Sequence, residues 1–128
     1  MPIQLNHTIV AARDAESSAR WFADTFGVAA PAQFGHFWQV ETDNGVSLDF
    51  AGAGDREIAV QHYAFLVSEE EFDQIFGRVL EQRLDHWADP MRRRPNEINH
   101  NDGGRGVYFP SPDGHLLEII TRPYGSGG

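Results

Sequence analysis

Four side chains have the types and spacing of a metal or acid–base site: His7, Asp49, His62 and Glu118. Each lies in a short apolar run. His7 is third in Leu5-Asn6-His7-Thr8-Ile9-Val10, and His62 is third in Val60-Gln61-His62-Tyr63-Ala64-Phe65. The carboxylates close a second matched pair of runs, Asp43-Asn44-Gly45-Val46-Ser47-Leu48-Asp49-Phe50 and Pro112-Asp113-Gly114-His115-Leu116-Leu117-Glu118-Ile119. Glu118 stands among Leu116, Leu117, Ile119 and Ile120. An ionised carboxylate buried there without compensation is prohibitive, so it is paired, neutralised, solvent-facing or bound to a metal.

The histidines are 62 − 7 = 55 residues apart and the carboxylates 118 − 49 = 69. The chain thus reads as two copies of one unit, the second longer by 69 − 55 = 14 residues. Copies packed about a pseudo-twofold axis would make the four side chains equivalent in pairs, so that four ligands could converge. Two imidazoles and a carboxylate on Fe(II), Mn(II), Ni(II) or Zn(II) leave coordination positions for a substrate with two neighbouring oxygens. The ion then serves as a Lewis acid on a developing enolate or alkoxide, or activates dioxygen. As a fourth ligand Asp49 would narrow the open coordination and favour proton-transfer chemistry; displaced from the metal, it is placed to act as general base. Both readings stand.

The elements that must position these groups follow from periodicity. Alternation predicts a first strand over 3–12, with Leu5, His7, Ile9 and Ala11 on one face. Asp14 is a good N-cap, Ala19, Trp21, Phe22 and Phe26 recur at helical spacing over 15–26, and Gly27 stands where a C-cap belongs. Residues 34–42 and 46–51 read as strands joined at Asp43-Asn44-Gly45, where Asn-Gly favours a type I′ hairpin. Ala51-Gly52-Ala53-Gly54-Asp55 is a small-residue linker and the expected boundary between module 1 (about 1–54) and module 2 (about 55–123). In the second copy 60–67 is a strand, Ser68 and Glu71 form a capping box, and Phe72, Ile75, Phe76, Val79 and Leu80 stripe one helix face. The pattern then breaks down over 86–105, a polar, Gly-ended loop that holds most of the extra residues. Strands on either side of Pro112-Asp113-Gly114 close the copy, and 124–128 is expected to fray.

Length, 128 residues with 41% hydrophobic side chains, fits one domain with its own core. A net charge of −9 argues against a nucleic-acid or anionic-membrane partner, since Arg92-Arg93-Arg94 is the only basic run. The absence of cysteine excludes disulfides, thiolate-bound zinc and a thiol nucleophile. No signal-like amino terminus or apolar run of bilayer-spanning length is present, so a cytoplasmic location is the default expectation.

His7-Thr8, Ser18-Ala19-Arg20-Trp21-Phe22 with Phe26-Gly27, His62-Tyr63-Ala64-Phe65 and Tyr108-Phe109-Pro110-Ser111-Pro112-Asp113-Gly114-His115-Leu116-Leu117-Glu118 together resemble the vicinal oxygen chelate (VOC) superfamily. That group holds glyoxalase I, fosfomycin-resistance thiol transferases, extradiol dioxygenases, methylmalonyl-CoA epimerase and bleomycin-resistance proteins. The Pro-Asp-Gly-His-x-x-Glu segment is the most specific part. The resemblance implies an α+β fold of two βαβββ modules related by a pseudo-twofold, whose curled mixed sheet holds a divalent metal on its concave face. It implies His7, His62 and Glu118 as ligands with Asp49 where some members supply a fourth, and it implies a homodimer. It also puts Tyr108 where dioxygenases and thiol transferases of the family keep a substrate-touching tyrosine. Members that bind glutathione like glyoxalase I have an arginine four residues after the first histidine; here that residue is Ala11, which argues against glyoxalase I proper.

The expected function is a metal-dependent, glyoxalase-like or dioxygenase-like enzyme acting on a small substrate through vicinal oxygens. The alternatives are a metal-free, bleomycin-resistance-like binding protein and a thiol transferase of the fosfomycin-resistance kind. Arg122 is a candidate contact for an anionic substrate. His100 reads as a solvated loop residue or as a catalytic acid/base, and Trp38, like Phe34, as cavity lining or as core. His115 is expected to belong to its turn, and His36 and His86 to the surface.

Overall fold

The computed structural model of the chain describes residues 2–127. Two compact units divide between Ala59 and Val60.

In the first unit β1 (His7–Ala12) leads into α1 (Ala15–Phe26), followed by β2 (Ala32–Phe34), β3 (Phe37–Glu41) and β4 (Ser47–Gly52). The sheet order is β1-β4-β3-β2, with β1 parallel to β4 and the other pairs antiparallel. Asp14 caps α1 by accepting from the Ser17 amide, and Gly27 ends it in the left-handed conformation at φ 72°. The helix buries Ala19, Phe22 and Ala23. Phe22 stacks on Phe26 at 4.1 Å and meets Phe50 of β4 at 6.0 Å. Residues 48 and 50 therefore face α1 while Ser47 and Asp49 face away from it, by the two-residue period of a strand.

Two strands and a turn differ from the sequence reading. β1 begins at His7 rather than at residue 3, because β4, its one ladder partner, begins at Ser47 opposite His7. The strand expected over 34–42 is a tight hairpin instead, broken at Gly35-His36 with Gly35 at φ 60°. Only the first loop residue has positive φ, the mark of a type II′ turn. The β3–β4 connection is likewise not type I′: the Gly45 amide donates to the Thr42 carbonyl, and Gly45 alone is left-handed at φ 80°. A type I turn followed by a left-handed glycine gives the longer connection.

In the second unit β5 (His62–Leu66) runs into α2 (Glu69–Glu81), and β6 (Gly106–Pro110) and β7 (Leu116–Ile120) complete a sheet of order β5-β7-β6. The capping box is present: Ser68 Oγ accepts from the Glu71 amide at 3.0 Å, and the Ser68 amide donates to Glu71 Oε1 at 2.8 Å. Phe72, Ile75 and Val79 are buried, whereas Leu80 is half exposed, so the apolar stripe is narrower than its spacing suggested. Arg105 fastens β6 to α2. Its guanidinium donates to Glu69 Oε1 and Asp73 Oδ1, each at 2.8 Å, and lies 4.3 Å above the Phe72 ring. The strand that would match β2 has shrunk to one residue. Trp87 exchanges both backbone hydrogen bonds with Tyr108 at 2.9 Å and bridges to Pro95.

That bridge organises the long loop. Asn99 pairs with Gly106 and sends its side-chain amide to the Ala88 carbonyl at 2.8 Å. Gly106 must be glycine there, since a Cβ would come within 2.8 Å of Asn99 Oδ1. The guanidinium of Arg92 covers the Trp87 ring at 4.5 Å. His86 is buried rather than on the surface, its ring edge-on to Phe76 at 5.1 Å. Nor does the carboxyl-terminal segment fray: Pro123 to Ser126 form a turn closed by Ser126 N to Pro123 O at 3.1 Å, with Gly125 at φ 77°. Gly128 lies outside the described residues. Among the described residues no helix is long and apolar enough to cross a membrane.

Candidate metal centre

The two units build the same relation between histidine and carboxylate. His7 stands opposite Ser47, two residues before Asp49; His62 stands opposite Leu116, two residues before Glu118. Paired residues, and residues two apart, point to the same side of a sheet. Each histidine therefore shares a face with the carboxylate of its own unit. The 14-residue excess falls between β5 and β7 and leaves this register intact.

In the second unit the Nδ1 of His62 meets the Leu116 carbonyl at 3.0 Å. That carbonyl only accepts, so Nδ1 carries a proton, and in the neutral ring Nε2 is left with its lone pair. Nε2 faces Glu118 Oε1 at 3.0 Å, and the Glu118 side chain is 1% exposed. A lone pair against a carboxylate oxygen repels. A proton or a cation belongs between them, and an ion bound about 2.1 Å from two adjacent ligands separates them by about this distance. An imidazole tethered through Nδ1 to a carbonyl is also the usual setting of a metal-bound histidine. The pair fits a divalent ion on both counts.

Two phenols complete this face. Tyr124 donates to both oxygens of Glu118 at 2.6 Å each. With that proton engaged, its oxygen accepts from Tyr108, 3.4 Å away. Tyr108 sits directly opposite Glu118 on β6, and its ring stacks on His62 at 5.8 Å between centroids. Burial first, and the Tyr124 hydrogen bond next, hold the Tyr108 phenol far above the usual tyrosine range. Tyr108 is thus a hydrogen-bond donor at neutral pH.

In the first unit His7 is exposed, with Nδ1 2.7 Å from Asn6 Oδ1, so it presents Nε2 as His62 does. Asp49 is buried, and Oδ1 takes both donors, Ser47 Oγ at 2.6 Å and Gln39 Nε2 at 3.1 Å. Oδ2 has no donor among the described residues. Among the described residues no three His, Asp or Glu side chains form a group that could hold a metal ion. The expected ligand set is divided, His7 and Asp49 in one unit, His62 and Glu118 in the other.

The remaining candidates lie elsewhere. Trp38 pairs with Phe50 and lies under the Arg20 guanidinium at 5.5 Å, on the α1 side of the sheet; Gln39 takes the place on the Asp49 face. His100 is exposed and makes no side-chain capping bond at the one-turn 3-10 helix Asn101–Gly103. Arg122 is exposed just beyond β7. Two further residues matter here, His115, which belongs to its turn as expected and also reaches beyond it, and Tyr124. His115, 1% exposed, accepts the Gln61 amide on Nδ1 at 3.0 Å and so anchors the start of β5 beside His62. Tyr124 had been assigned to a fraying tail.

This arrangement defines a class. The profile described as Glyoxalase/Bleomycin resistance protein/Dioxygenase superfamily matches residues 4–119, and the chain belongs to that superfamily. Two solved structures are similar over nearly the whole chain. Oxidase ChaP-H1 is 63% identical with a TM-score of 0.94, covering 97% of this chain and 99% of its own. Oxidase ChaP-H2 is 62% identical with a TM-score of 0.96, covering 100% of both. The metallothiol transferase FosB of Shouchella clausii (strain KSM-K16) is 40% identical over 60 residues, 47% of this chain and 37% of that relative, so the match spans little more than a third of its length.

Proposed function

We propose that this protein is a divalent-metal-dependent enzyme of the superfamily that oxidises a small substrate chelated through vicinal oxygens. The observation that supports the reading is the His62–Glu118 pair, whose orientations are held by Leu116 and Tyr124 and whose facing atoms need a proton or a cation between them. The similarity to two proteins named oxidases at 62–63% identity supports oxygen chemistry over the other reactions of the fold. Fold alone would not choose among them.

His7, His62 and Glu118 would hold the ion, with Asp49 beside them as ligand or base. The ion would supply Lewis acidity toward the substrate oxygens and a route for electrons to dioxygen. Leu116 keeps the His62 tautomer that leaves Nε2 open. The protonated Tyr108 donates a hydrogen bond to an oxygen on this face, and the Oδ2 of Asp49 accepts a substrate proton. Arg122 pairs with an anionic group. Trp38, on the helix side, and the exposed His100 have no part in the scheme. The protein is further read as cytoplasmic and as a homodimer, and light scattering of the purified chain tests the dimer.

The deciding experiment is oxygen consumption by protein stripped and reloaded with Fe(II), Mn(II), Ni(II) or Zn(II), against a panel of catechols and aromatic hydroxyketones. Uptake that needs both metal and substrate is expected. Retention of metal without oxygen uptake, together with thiol addition to an epoxide, would replace this reading with that of a thiol transferase, which the similarity to FosB supports. Failure to hold any ion would make it a binding protein.

A further inference from the structure

The residues after β7 return to the carboxylate that β7 carries. Tyr124 is 64% exposed, yet its hydroxyl lies 2.6 Å from each oxygen of Glu118, among the most buried side chains of the unit. Equal distances to both oxygens put the phenol in the position from which a cation chelates a carboxylate. The segment is seated for that contact. The turn from Pro123 to Ser126 places Gly125 at φ 77°, which a residue with a side chain reaches only under strain. Beyond it the Gly127 amide donates to Asp102 Oδ1 at 3.2 Å, and a Cβ on Gly127 would run into the Asp102 backbone. Glycine at 127 lets the strap lie flat on the 101–103 turn. Tyr124 is held at one end by the covalent link to β7 and at the other by Asp102.

We infer that the 123–127 strap is a latch on the metal centre: Tyr124 satisfies the Glu118 carboxylate while no ion is bound, and it must swing away before an ion can take that carboxylate. The inference rests on the metal reading above. Phenol and cation compete for the same two oxygens, so the latch lowers the apparent metal affinity by the strength of its hydrogen bonds. Charge-assisted hydrogen bonds of this length correspond to roughly a tenfold change in affinity. Opening also frees an exposed ring and a short glycine-rich strap, which is inexpensive in contacts.

The test is Mn(II) binding to the stripped, full-length chain, read by the electron paramagnetic resonance of free Mn(II), in wild type, Tyr124→Phe, Gly127→Ala and Glu118→Gln. Tyr124→Phe removes the hydroxyl, and Gly127→Ala unseats the strap without touching the site. Both are expected to bind Mn(II) about tenfold more tightly than wild type, and Glu118→Gln to bind it far more weakly. In parallel, protein labelled with 3-fluorotyrosine is titrated with Zn(II). The fluorine resonance absent from Tyr124→Phe should move to the narrow line of a mobile ring as the ion binds. Unchanged or weaker binding in both strap variants, with Glu118→Gln still defective, would overturn the latch and leave the metal reading standing. No binding in any variant, Tyr124→Phe included, would overturn both.

Discussion

Glu118 puts a carboxylate in the apolar heart of its unit, where its charge is met by the Tyr124 phenol proton and, on the present reading, by an ion. Glu118→Gln keeps the shape and the Tyr124 contact and removes the charge. It should lower metal affinity by at least about 100-fold, the upper end of what even an outer partner of a ligand costs, while the melting temperature of the metal-free chain stays within a few degrees. Calorimetric titration and thermal melts check both halves. Tyr108 offers a second reading at this scale. Burial and its phenol neighbour raise its pKa from the ordinary 10.0, so the folded chain keeps this proton to higher pH than the unfolded chain. Its contribution to stability is therefore full below about pH 10 and falls away as the pH climbs beyond it. Tyr63 is shifted the same way by burial. In an alkaline titration followed at 295 nm, phenolate from Tyr108 should appear only with unfolding; reversible ionisation of all three tyrosines in chain with native near-ultraviolet dichroism would contradict it.

Among the elements, β5 is the one whose placement matters most, and His115 sets it. His115→Ala leaves a cavity and orphans the Gln61 amide, which together cost about 3 kcal/mol. Since β5 carries His62, the variant should also bind metal more weakly than its loss of stability explains, which calorimetry on folded protein at low temperature would show. Why this was not legible is instructive. Caps announce themselves locally: Asp14, Gly27 and the Ser68–Glu71 box need only neighbours in sequence, and all form as their residue types require. His115 bonds an amide 54 residues away, and nothing in its own turn points there. Tyr124 is similar, a lone aromatic in a glycine-rich tail whose partner is buried on the preceding strand. Turns were hard to read for a second reason. Asn44-Gly45 suits several geometries, and the choice among them depends on how β3 and β4 meet rather than on the dipeptide.

At the scale of the whole molecule, the repeat was readable because backbone register preserves it. A histidine opposite the residue two before a carboxylate is a relation that survives a 14-residue insertion, provided the extra chain stays out of the parallel pair. The proposed ligands His7, His62 and Glu118 yield a prediction. At a free Mn(II) concentration of about 100 times Kd, binding should stabilise the fold by about 2.7 kcal/mol, a rise in melting temperature of roughly 10 °C. His7→Ala in the first unit and His62→Ala in the second should each abolish that rise. If only the second does so, the first unit takes no part in holding the ion.

The one-residue strand at Trp87 has a consequence for how such a protein changes over generations. Between Trp87 and Asn99 the loop is moored to β6 at its two ends, by the Trp87–Tyr108 and Asn99–Gly106 bridges. Residues between those moorings are outside the ladder that positions Glu118. Insertions, deletions and exchanges there leave that ladder in place and alter the surface of the unit rather than whether it folds. A lineage can thus vary this stretch while inheriting the strands that hold His62 and Glu118, and loops transplanted from relatives between these two residues should yield folded chimeras.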